Sequence, residues 1–417
     1  MTRVRSIRDV AEQHLCAGCG VCAYLAPDRI RMVDDLERGR RPIVDGADGE
    51  SGDAFEACPG HQLSQGPMPP GAVRELFGEW GPVLEVWEGY ASDPELRHAA
   101  SSGGAASALA LAAIEAQGFH GLLHIRARAD HRWLNETVLS TTPDEILAAT
   151  GSRYAPASPC DGLARIEEAP APCVFIGKPC DVAATRKARV LRPRLDEKLG
   201  ATIAIFCAGA PSTAATLELM RETGVEDPAE LASLRYRGLG WPGHWRAERT
   251  DGHVEPLTYA ESWGKLQASR PWRCYVCPDH TGEFADIAVG DPWYREVEEG
   301  DEGRSLVLVR TERGRELVRA AMASGHIHLE RREPSVLPAA QPNLERTRGA
   351  IWGRILVTRL LGAAAPRYRG IAMFPSWWKR LNLREKLGSL LGTAKRTFKK
   401  QLRVRRPVRA WSDSADS

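Results

Sequence analysis

Eight of the ten cysteines fall into two groups of four whose spacing suits iron–sulfur ligation. The first group is a run with two residues between successive cysteines, closed by a later Cys-Pro pair: Cys16, Cys19, Cys22 and Cys58. The second group comes from three separate segments: Cys180, Cys207, Cys274 and Cys277. A 4Fe–4S cluster is held by four cysteine thiolates. The sequence therefore predicts two clusters and one-electron chemistry, with electrons passing between centres.

Other chemistry fits parts of this pattern. Short Cys-x-x-Cys pairs also bind structural zinc, and Cys274 with Cys277 suits zinc equally well when taken alone. Three thiols at successive two-residue spacing match the ferredoxin run instead, in which backbone N–H groups point at the sulfurs. Ala26 stands where the fourth cysteine of a contiguous run would be, so Cys58 is the expected replacement. A redox thiol pair of Cys180 and Cys207 is a further alternative.

Composition limits the class of protein. The chain has 417 residues, of which 43% are hydrophobic, and this predicts two or three domains with a proper core. No run of about 18 apolar residues predicts a membrane span. Residues 1–15 are charged and lack the apolar segment of a secretory signal. Ten cysteines without export indicate a reducing compartment, so a cytoplasmic location is expected, with Cys160 and Cys173 as small buried residues.

The net charge of +2 conceals a basic C-terminal segment. Residues 379–409 contain twelve Lys or Arg and one Glu, which gives this segment +11 and the remainder −9. Leu, Phe and Trp residues are interleaved with the charges. A basic amphipathic helix of this kind suits peripheral contact with the inner face of an anionic membrane through residues 375–410. The alternatives are a solvated tail or a helix docked on the body, and no nucleic-acid motif accompanies the charge.

The middle of the chain has the pattern of an α/β region. Strands are predicted at 84–90, 121–126, 173–176, 201–206, 286–289 and 305–309, and a helix at 105–116 that ends at Gly118. The helix is preceded by four residues suited to a phosphate, whose glycines let the backbone approach an anion: Ser101, Ser102, Gly103 and Gly104. Ordinary N-capping by the serines is the alternative.

A second glycine motif does not predict a dinucleotide site. Gly238, Gly240 and Gly243 match the Gly-x-Gly-x-x-Gly spacing. Pro242 and the neighbouring tryptophans are wrong for a strand-to-helix phosphate turn, and no βαβ pattern surrounds the motif. We interpret it as a glycine-rich turn against an aromatic surface.

The motifs, in this order, resemble a known family. They are the N-terminal cysteine loop, Ala100–Gly104, Gly151–Tyr154, Gly177–Lys187, Phe206–Cys207, Arg237–Gly243, Cys274–Cys277 and Ala285–Asp291. The chain is similar over roughly residues 16–308 to the coenzyme F-420 hydrogenase/dehydrogenase beta-subunit family. That family also includes 7-hydroxymethyl chlorophyll a reductases and ferredoxin-dependent divinyl chlorophyllide reductases.

The resemblance implies FAD together with 4Fe–4S clusters. It places one cluster on Cys180, Cys207, Cys274 and Cys277. It assigns flavin binding to Ser101, Ser102, Gly103, Gly104, Gly151, Ser152, Arg153, Tyr154 and Lys178. The family usually has Lys where this chain has Arg153, and either cation can hold a pyrophosphate. The proton donor is not identified, and four residues are candidates: His244, Tyr154, Asp279 and His280.

The expected fold is an α/β (α+β) flavin-binding core with an N-terminal ferredoxin-like iron–sulfur module and a helical basic tail. The predicted boundaries are 1–70 for the module, 80–170 for the FAD-binding part, 171–340 for the part with the second cluster, and 341–417 for the tail. The expected function is an oxidoreductase that passes electrons from ferredoxin or reduced coenzyme F-420 through both clusters to FAD and on to an organic acceptor. The alternative is an electron-transfer beta subunit of a larger hydrogenase or dehydrogenase complex. A homo-oligomer and a non-redox zinc protein are further alternatives.

Overall fold

The structure is a computed structural model that describes residues 4–46 and 52–412. Residues 1–3, 47–51 and 413–417, which fall in the first and last predicted domains, lie outside the described residues.

The N-terminal cysteines lie in a module of short elements. These are helices α1 (Ile7–Glu12), α2 (Val21–Leu25) and α3 (Gly52–Ala57), and strands β1 (Ile30–Asp35), β2 (Gly39–Val44) and β3 (Gln62–Ser64). The Ser6 side chain caps α1 by accepting a hydrogen bond from the Asp9 backbone N–H. Strands β1 and β2 form an antiparallel pair from Ile30–Val44 to Asp35–Gly39. The buried side chains of the module join one hydrophobic core with those of the central sheet.

Twelve further strands follow. They are β4 (Glu85–Ala91), β5 (Gly121–Ala127), β6 (Asn135–Ser140), β7 (Cys173–Gly177), β8 (Leu199–Ile205), β9 (Leu231–Arg235), β10 (His244–Arg249), β11 (Leu257–Thr258), β12 (Ile287–Gly290), β13 (Ser305–Val309), β14 (Ile327–Arg331) and β15 (Arg367–Arg369). Eight of them form one sheet in the order β14-β4-β13-β12-β8-β7-β5-β6. Strands β12, β8, β7 and β5 run parallel, and the pairs at both edges are antiparallel. The predicted mixed α/β class and the six predicted strands are confirmed.

The helices between the module and the tail are α4 (Phe77–Trp80), α5 (Pro94–Ala99), α6 (Ala105–Gln117), α7 (Pro143–Ala148), α8 (Ala164–Glu168), α9 (Pro179–Leu191), α10 (Pro193–Lys198), α11 (Thr213–Glu222), α12 (Tyr259–Leu266), α13 (Trp272–Tyr275), α14 (Glu312–Ala323), α15 (Val336–Ala340), α16 (Leu344–Gly349) and α17 (Ile351–Leu360). Short 3-10 turns lie at Pro159–Gly162, Pro228–Glu230 and Gln267–Ser269. Helix α6 ends at Gly118 in the left-handed conformation, as predicted.

The central sheet separates two hydrophobic cores. On one face, α6 and α14 pack through residues such as Leu109 and Val318 onto Val174, Ile203 and Ile287. On the other face, α9 and the N-terminal module pack onto Phe175 and Ala204. The parallel strands are therefore covered on both sides, which explains their continuous apolar sequences. The sheet takes strands from both the predicted FAD-binding part (80–170) and the predicted part with the second cluster (171–340). The boundary between these two parts therefore stays a prediction.

A smaller sheet of order β11-β10-β9 carries the glycine-rich turn between β9 and β10. Its own core contains Tyr236 and Trp245, which are 1% and 0% exposed. Trp241 in the turn packs against Trp293, with ring centroids 5.4 Å apart. The interpretation of this motif as a turn against an aromatic surface is therefore confirmed.

The basic tail contains helices α18 (Met373–Arg380) and α19 (Leu383–Lys399). The tail is docked on the body: Arg380 pairs with Glu79 at 3.1 Å, and Arg405 pairs with Asp9 at 2.5 Å and Glu12 at 2.9 Å. The docked helix, one of the alternatives for this segment, is thus present. Within the described ranges, no helix is long and apolar enough to cross a membrane.

A cavity in the central strand β8 should lower the free energy of unfolding strongly. Ile203 is fully buried and its strand is paired on both sides. Ile203→Ala should lower the free energy of unfolding by about 2–5 kcal/mol, measured by chemical denaturation. Val190→Ala, at a residue that is 80% exposed, is the matched control and should change it by less than about 0.5 kcal/mol. Equal effects of the two changes would contradict the core assignment.

Candidate functional site

The carboxyl ends of three neighbouring parallel strands converge on one edge of the sheet. Strand β7 ends at Gly177 and is followed by Lys178, β8 leads into Phe206 and Cys207, and β12 leads into Asp291. In open α/β sheets this is the edge at which ligands bind. All three segments line one pocket of about 390 Å³. The volume lies within the range typical of small-molecule sites.

The pocket gathers most residues that the resemblance assigned to flavin binding. Eight of the nine lie on its wall: Ser101, Ser102, Gly104, Gly151, Ser152, Arg153, Tyr154 and Lys178. The ninth, Gly103, shapes the turn behind the wall. Gly103 has φ +60°, and a Cβ there would lie 2.8 Å from the Arg304 Cα. These residues, which come from separate segments of the chain, are therefore close neighbours.

The two serines do not cap α6. The Ser101 hydroxyl accepts a hydrogen bond from the Ser152 backbone N–H at 2.7 Å, and the Ser102 hydroxyl donates to the Arg304 carbonyl at 3.0 Å. Gly104 begins the helix in the left-handed conformation without a side-chain cap. The capping alternative is therefore wrong. The first N–H groups of this 13-residue helix, at Ala105 and Ala106 on the pocket wall, have no acceptor within the helix, as at any helix N-terminus.

The Arg153 guanidinium makes most of its hydrogen bonds to other groups of the protein. It donates to the Asn135 side chain and to three backbone carbonyls, at 2.6 Å from Arg132, 3.4 Å from Leu134 and 3.3 Å from Leu234. Four of its five N–H groups are thereby used. Arg153 shapes the wall, and its predicted contact with a pyrophosphate stays a prediction.

A buried ion pair in the pocket wall has no counterpart in the sequence-based prediction. Arg237, which is 2% exposed, donates to both Asp291 carboxylate oxygens at 2.8 and 2.9 Å. The same guanidinium donates to the Ser101 carbonyl and to the Tyr154 hydroxyl. It therefore joins the end of β12 to two pocket segments. Both residues belong to motifs on which the family resemblance depends, and this was the only feature of the sequence that could have pointed to them.

Aromatic rings form another part of the wall. Tyr259 and Trp293 stack with centroids 5.2 Å apart and an interplanar angle of 10°. Trp263 lies 5.2 Å from Tyr154. Arg270 lies over the Trp263 ring, at 5.9 Å from its centroid. Such a wall of flat rings and cations is suited to an aromatic, anionic ligand.

The second cysteine set surrounds its own small cavity next to this pocket. Its volume is about 40 Å³, and the lining includes Cys180, Cys207, Cys274 and Cys277. Burial first, and then the neighbouring thiol of Cys274, raises the pKa of Cys207 to about 12. Burial raises the pKa of Cys277 to about 11, although Arg273 lowers it. The four thiols therefore influence one another, and they are suited to a bound cation that stabilises the thiolates.

The first cysteine set is also brought together. Burial, followed by the charges of Cys19, Cys16 and Cys58, raises the pKa of Cys22 well above its ordinary value. Backbone N–H groups point at the sulfurs, from Gly18 to Cys16 at 3.3 Å, from Val21 to Cys19, from Ala23 to Cys22, and from Gly60 and His61 to Cys58. This is the arrangement expected of a ferredoxin loop, and it includes Cys58.

The side chains of the two cysteine sets are not arranged as a metal site. Within residues 4–46 and 52–412, no group of three or more His, Cys, Asp or Glu side chains is arranged to hold a metal ion. The prediction of two clusters therefore depends on the thiol sets, their burial and the N–H groups directed at the sulfurs.

Two buried side chains connect the cysteine sets. Cys160 is hydrogen-bonded to Cys19, and its thiol also donates to the carbonyl of Asp181, the residue after Cys180, at 3.3 Å. Arg273 donates to the carbonyl of Pro59, next to Cys58, at 3.0 Å. Arg273 itself precedes Cys274 in sequence. Cys160, expected only to be small and buried, thus lies between the two sets.

The four candidate proton donors have different positions. Tyr154 and His280 line the pocket. His280 lies 3.0 Å from the Cys207 carbonyl through Nδ1, and its Nε2 has no hydrogen-bond partner among the described residues. Asp279 instead accepts hydrogen bonds from the backbone N–H groups of residues 281–283 and fixes that loop. His244 is exposed on β10 and does not line the pocket.

His124 on the pocket wall predicts a loss of stability at acid pH. Burial, with a smaller effect of Arg126, lowers its pKa from 6.5 to about 4. The unfolded chain therefore binds a proton between these values and the folded chain does not, so stability falls as pH decreases from about 6.5 to about 4. From pH 7 to pH 4.5 this group should cost about 2–3 kcal/mol.

His124→Gln should remove that part of the pH dependence, measured as the difference in unfolding free energy between pH 7 and pH 4.5. Glutamine does not titrate and can still bond the Ser140 hydroxyl, which lies 2.8 Å from Nε2. His328→Gln, at a side chain that is 55% exposed, is the control. If His124→Gln and wild type lose the same stability on acidification, the explanation is wrong.

Comparison with known proteins gives the family. Residues 86–164 match the N-terminal part of the coenzyme F420 hydrogenase/dehydrogenase beta subunit, and residues 172–335 match the C terminus of the same protein. A subunit of the F(420)H(2) dehydrogenase of Methanosarcina mazei is 23% identical over 341 residues, which are 81% of this chain and 89% of the relative. The beta subunit of the coenzyme F420 hydrogenase of Methanosarcina barkeri is 26% identical, over 56% of this chain and 77% of the relative.

A solved structure shares the fold. A chain of the F420-reducing [NiFe] hydrogenase complex from Methanosarcina barkeri superposes with a TM-score of 0.51 at 21% identity, covering 70% of this chain and 96% of that one. The relation to chlorophyll reductases stays a prediction. The chain belongs to the coenzyme F420 hydrogenase/dehydrogenase beta-subunit family of oxidoreductases.

Proposed function

We propose that this chain is an electron-transferring beta subunit that exchanges electrons between coenzyme F420 and a partner protein through FAD and two 4Fe–4S clusters. The relatives named above are subunits of F420-dependent hydrogenases or dehydrogenases, and this favours the alternative function over a free-standing reductase. Ferredoxin remains the second candidate for the electron donor. The second candidate function is a free-standing reductase that passes the electrons to a small organic acceptor.

One observation carries the proposal: the pocket and the second cysteine set share a wall. Lys178, Cys207 and His280 line both the 390 Å³ pocket and the 40 Å³ cavity. An electron leaving a ligand in the pocket would therefore meet a cysteine sulfur without crossing another layer of protein. Such contiguity is what a flavin-to-cluster transfer requires.

The pocket residues fit a flavin dinucleotide. The open N-terminus of α6 would hold phosphate, and the rings of Tyr259, Trp263 and Trp293 would contact the flat parts of the cofactor. When bound, FAD supplies the exchange between hydride and single electrons that no side chain can provide. Lys178 would place a cation beside it, since its ammonium group is held by Asp181 at 2.7 Å.

The surroundings of the cysteines fit cluster ligation. In the first set neighbouring thiols, after burial, raise the pKa of Cys22 and Cys58, and in the second set they raise the pKa of Cys180 and Cys207. Ligation would relieve this repulsion by neutralising the thiolates. Cys160, Asp181 and Arg273 would then form the protein between the two clusters, and their hydrogen bonds would influence the cluster potentials.

The cofactor content tests the assignment. Anaerobically purified protein should contain about eight irons, as two clusters require, and one FAD per chain. Cys22→Ala and Cys277→Ala should each remove about half of the iron, because each deletes one of four ligands to one cluster. Cys173→Ala, at a buried cysteine outside both sets, should keep the full iron content. A colourless wild-type protein with one or two zinc ions would overturn the proposal.

The beta-subunit function has its own test. Under anaerobic conditions, reduced coenzyme F420 should bleach the flavin absorbance of the isolated chain within a single turnover. Steady turnover should require an added one-electron acceptor such as a viologen, and Cys277→Ala should retain bleaching but lose viologen reduction. Sustained reduction of a small organic acceptor by the isolated chain would instead support the free-standing reductase.

A further inference from the structure

Helix α19 is oriented with its apolar face outward. The residues it buries against the body are small and polar: Ser389, Thr393 and Thr397, which are 4%, 0% and 0% exposed. Leu383, Leu387, Leu391 and Phe398 lie together on a solvent-facing side of the helix and are 73%, 48%, 68% and 58% exposed. We call these four residues the outer stripe. A docked surface helix normally has the reverse arrangement.

Helix α18 adds two exposed aromatic residues to the tail. Phe374 and Trp378 are 48% and 61% exposed, and their rings stack with centroids 6.3 Å apart. Lys386 of α19 lies 4.5 Å from the centroid of the Trp378 ring, so the two helices adjoin at this point. Large exposed apolar surfaces mark sites of interaction.

The charges beside the outer stripe are positive. Arg384, Lys395 and Lys399 are exposed, follow the stripe along one flank of the helix, and have no acidic partner among the described residues. The single acidic residue of α19, Glu385, accepts from the backbone of Asn382 and pairs with Arg346. The surface therefore offers apolar side chains and these three cations to whatever binds it.

We propose that α18 and α19 dock on an anionic lipid surface, with the outer stripe in the acyl boundary and the flanking cations among the headgroups. An apolar stripe one helix wide, bordered by Lys and Arg and accompanied by exposed Trp, is the pattern of a helix that lies in the membrane interface. The charge is complementary to anionic lipid. This inference goes beyond the proposed electron transfer and does not depend on the cofactors.

Cosedimentation of the full chain with vesicles tests the proposal. The chain should bind vesicles of 70% phosphatidylcholine and 30% phosphatidylglycerol, and should bind pure phosphatidylcholine at least tenfold more weakly. Leu387→Ser combined with Leu391→Ser should lower the partition coefficient at least tenfold. Val190→Ser with Val297→Ser, at positions 80% and 59% exposed elsewhere, is the matched control and should leave binding unchanged.

A charge variant tests the headgroup contacts separately. Arg384→Gln, Lys395→Gln and Lys399→Gln together should weaken binding about 100-fold, since each cation near an anionic surface contributes about a factor of five. The flavin and iron contents of every variant should equal those of wild type. Failure to bind anionic vesicles, or equal binding by wild type and the stripe variant, would overturn the proposal and leave the surface to a protein partner.

Discussion

The alignment of three parallel strands determines where the chemistry of this protein lies. Residues 287 and 176 both pair with Ile203, so β12, β8 and β7 are held in one fixed register. That register determines where each of the three strands ends along the sheet. Lys178, Cys207 and Asp291 reach the same edge of the sheet as a consequence, although more than a hundred residues separate the first from the last. Displacement of one strand would separate the second cysteine set from the pocket.

The side chains around that edge reinforce one another. The Arg237–Asp291 pair would be costly to bury without its full set of hydrogen bonds. The structure provides these through the carbonyls of Ser101 and Pro242 and the hydroxyl of Tyr154. The same contacts tie the smaller sheet to the turn at residues 101–104. The ion pair therefore helps to set the shape of the pocket.

Much of the core could be predicted from the sequence, because its signals are local. The apolar runs at 173–176 and 305–309 identified buried strands, and Gly118 identified the end of α6. The β1–β2 hairpin and the smaller sheet were not predicted, since their strands are short and mix polar with apolar residues. The Arg237–Asp291 pair and the contact of Cys160 with Cys19 join residues far apart in sequence. No local pattern indicates such pairs. The tail was predicted to be amphipathic, but the burial of its Ser and Thr side depends on the surface beneath it.

The C-terminal residues also affect how the molecule can be assembled. Arg405 pairs with Asp9, and the backbone N–H of Trp411 donates to the Asp34 carbonyl at 2.7 Å. During synthesis on the ribosome, residue 9 emerges long before residue 405, which follows it by 396 positions. The contacts of Arg405 and Trp411 with the cysteine module can therefore form only after nearly the whole chain has been synthesised. Until residues 405–411 have been synthesised, the module with the N-terminal thiols lacks these contacts.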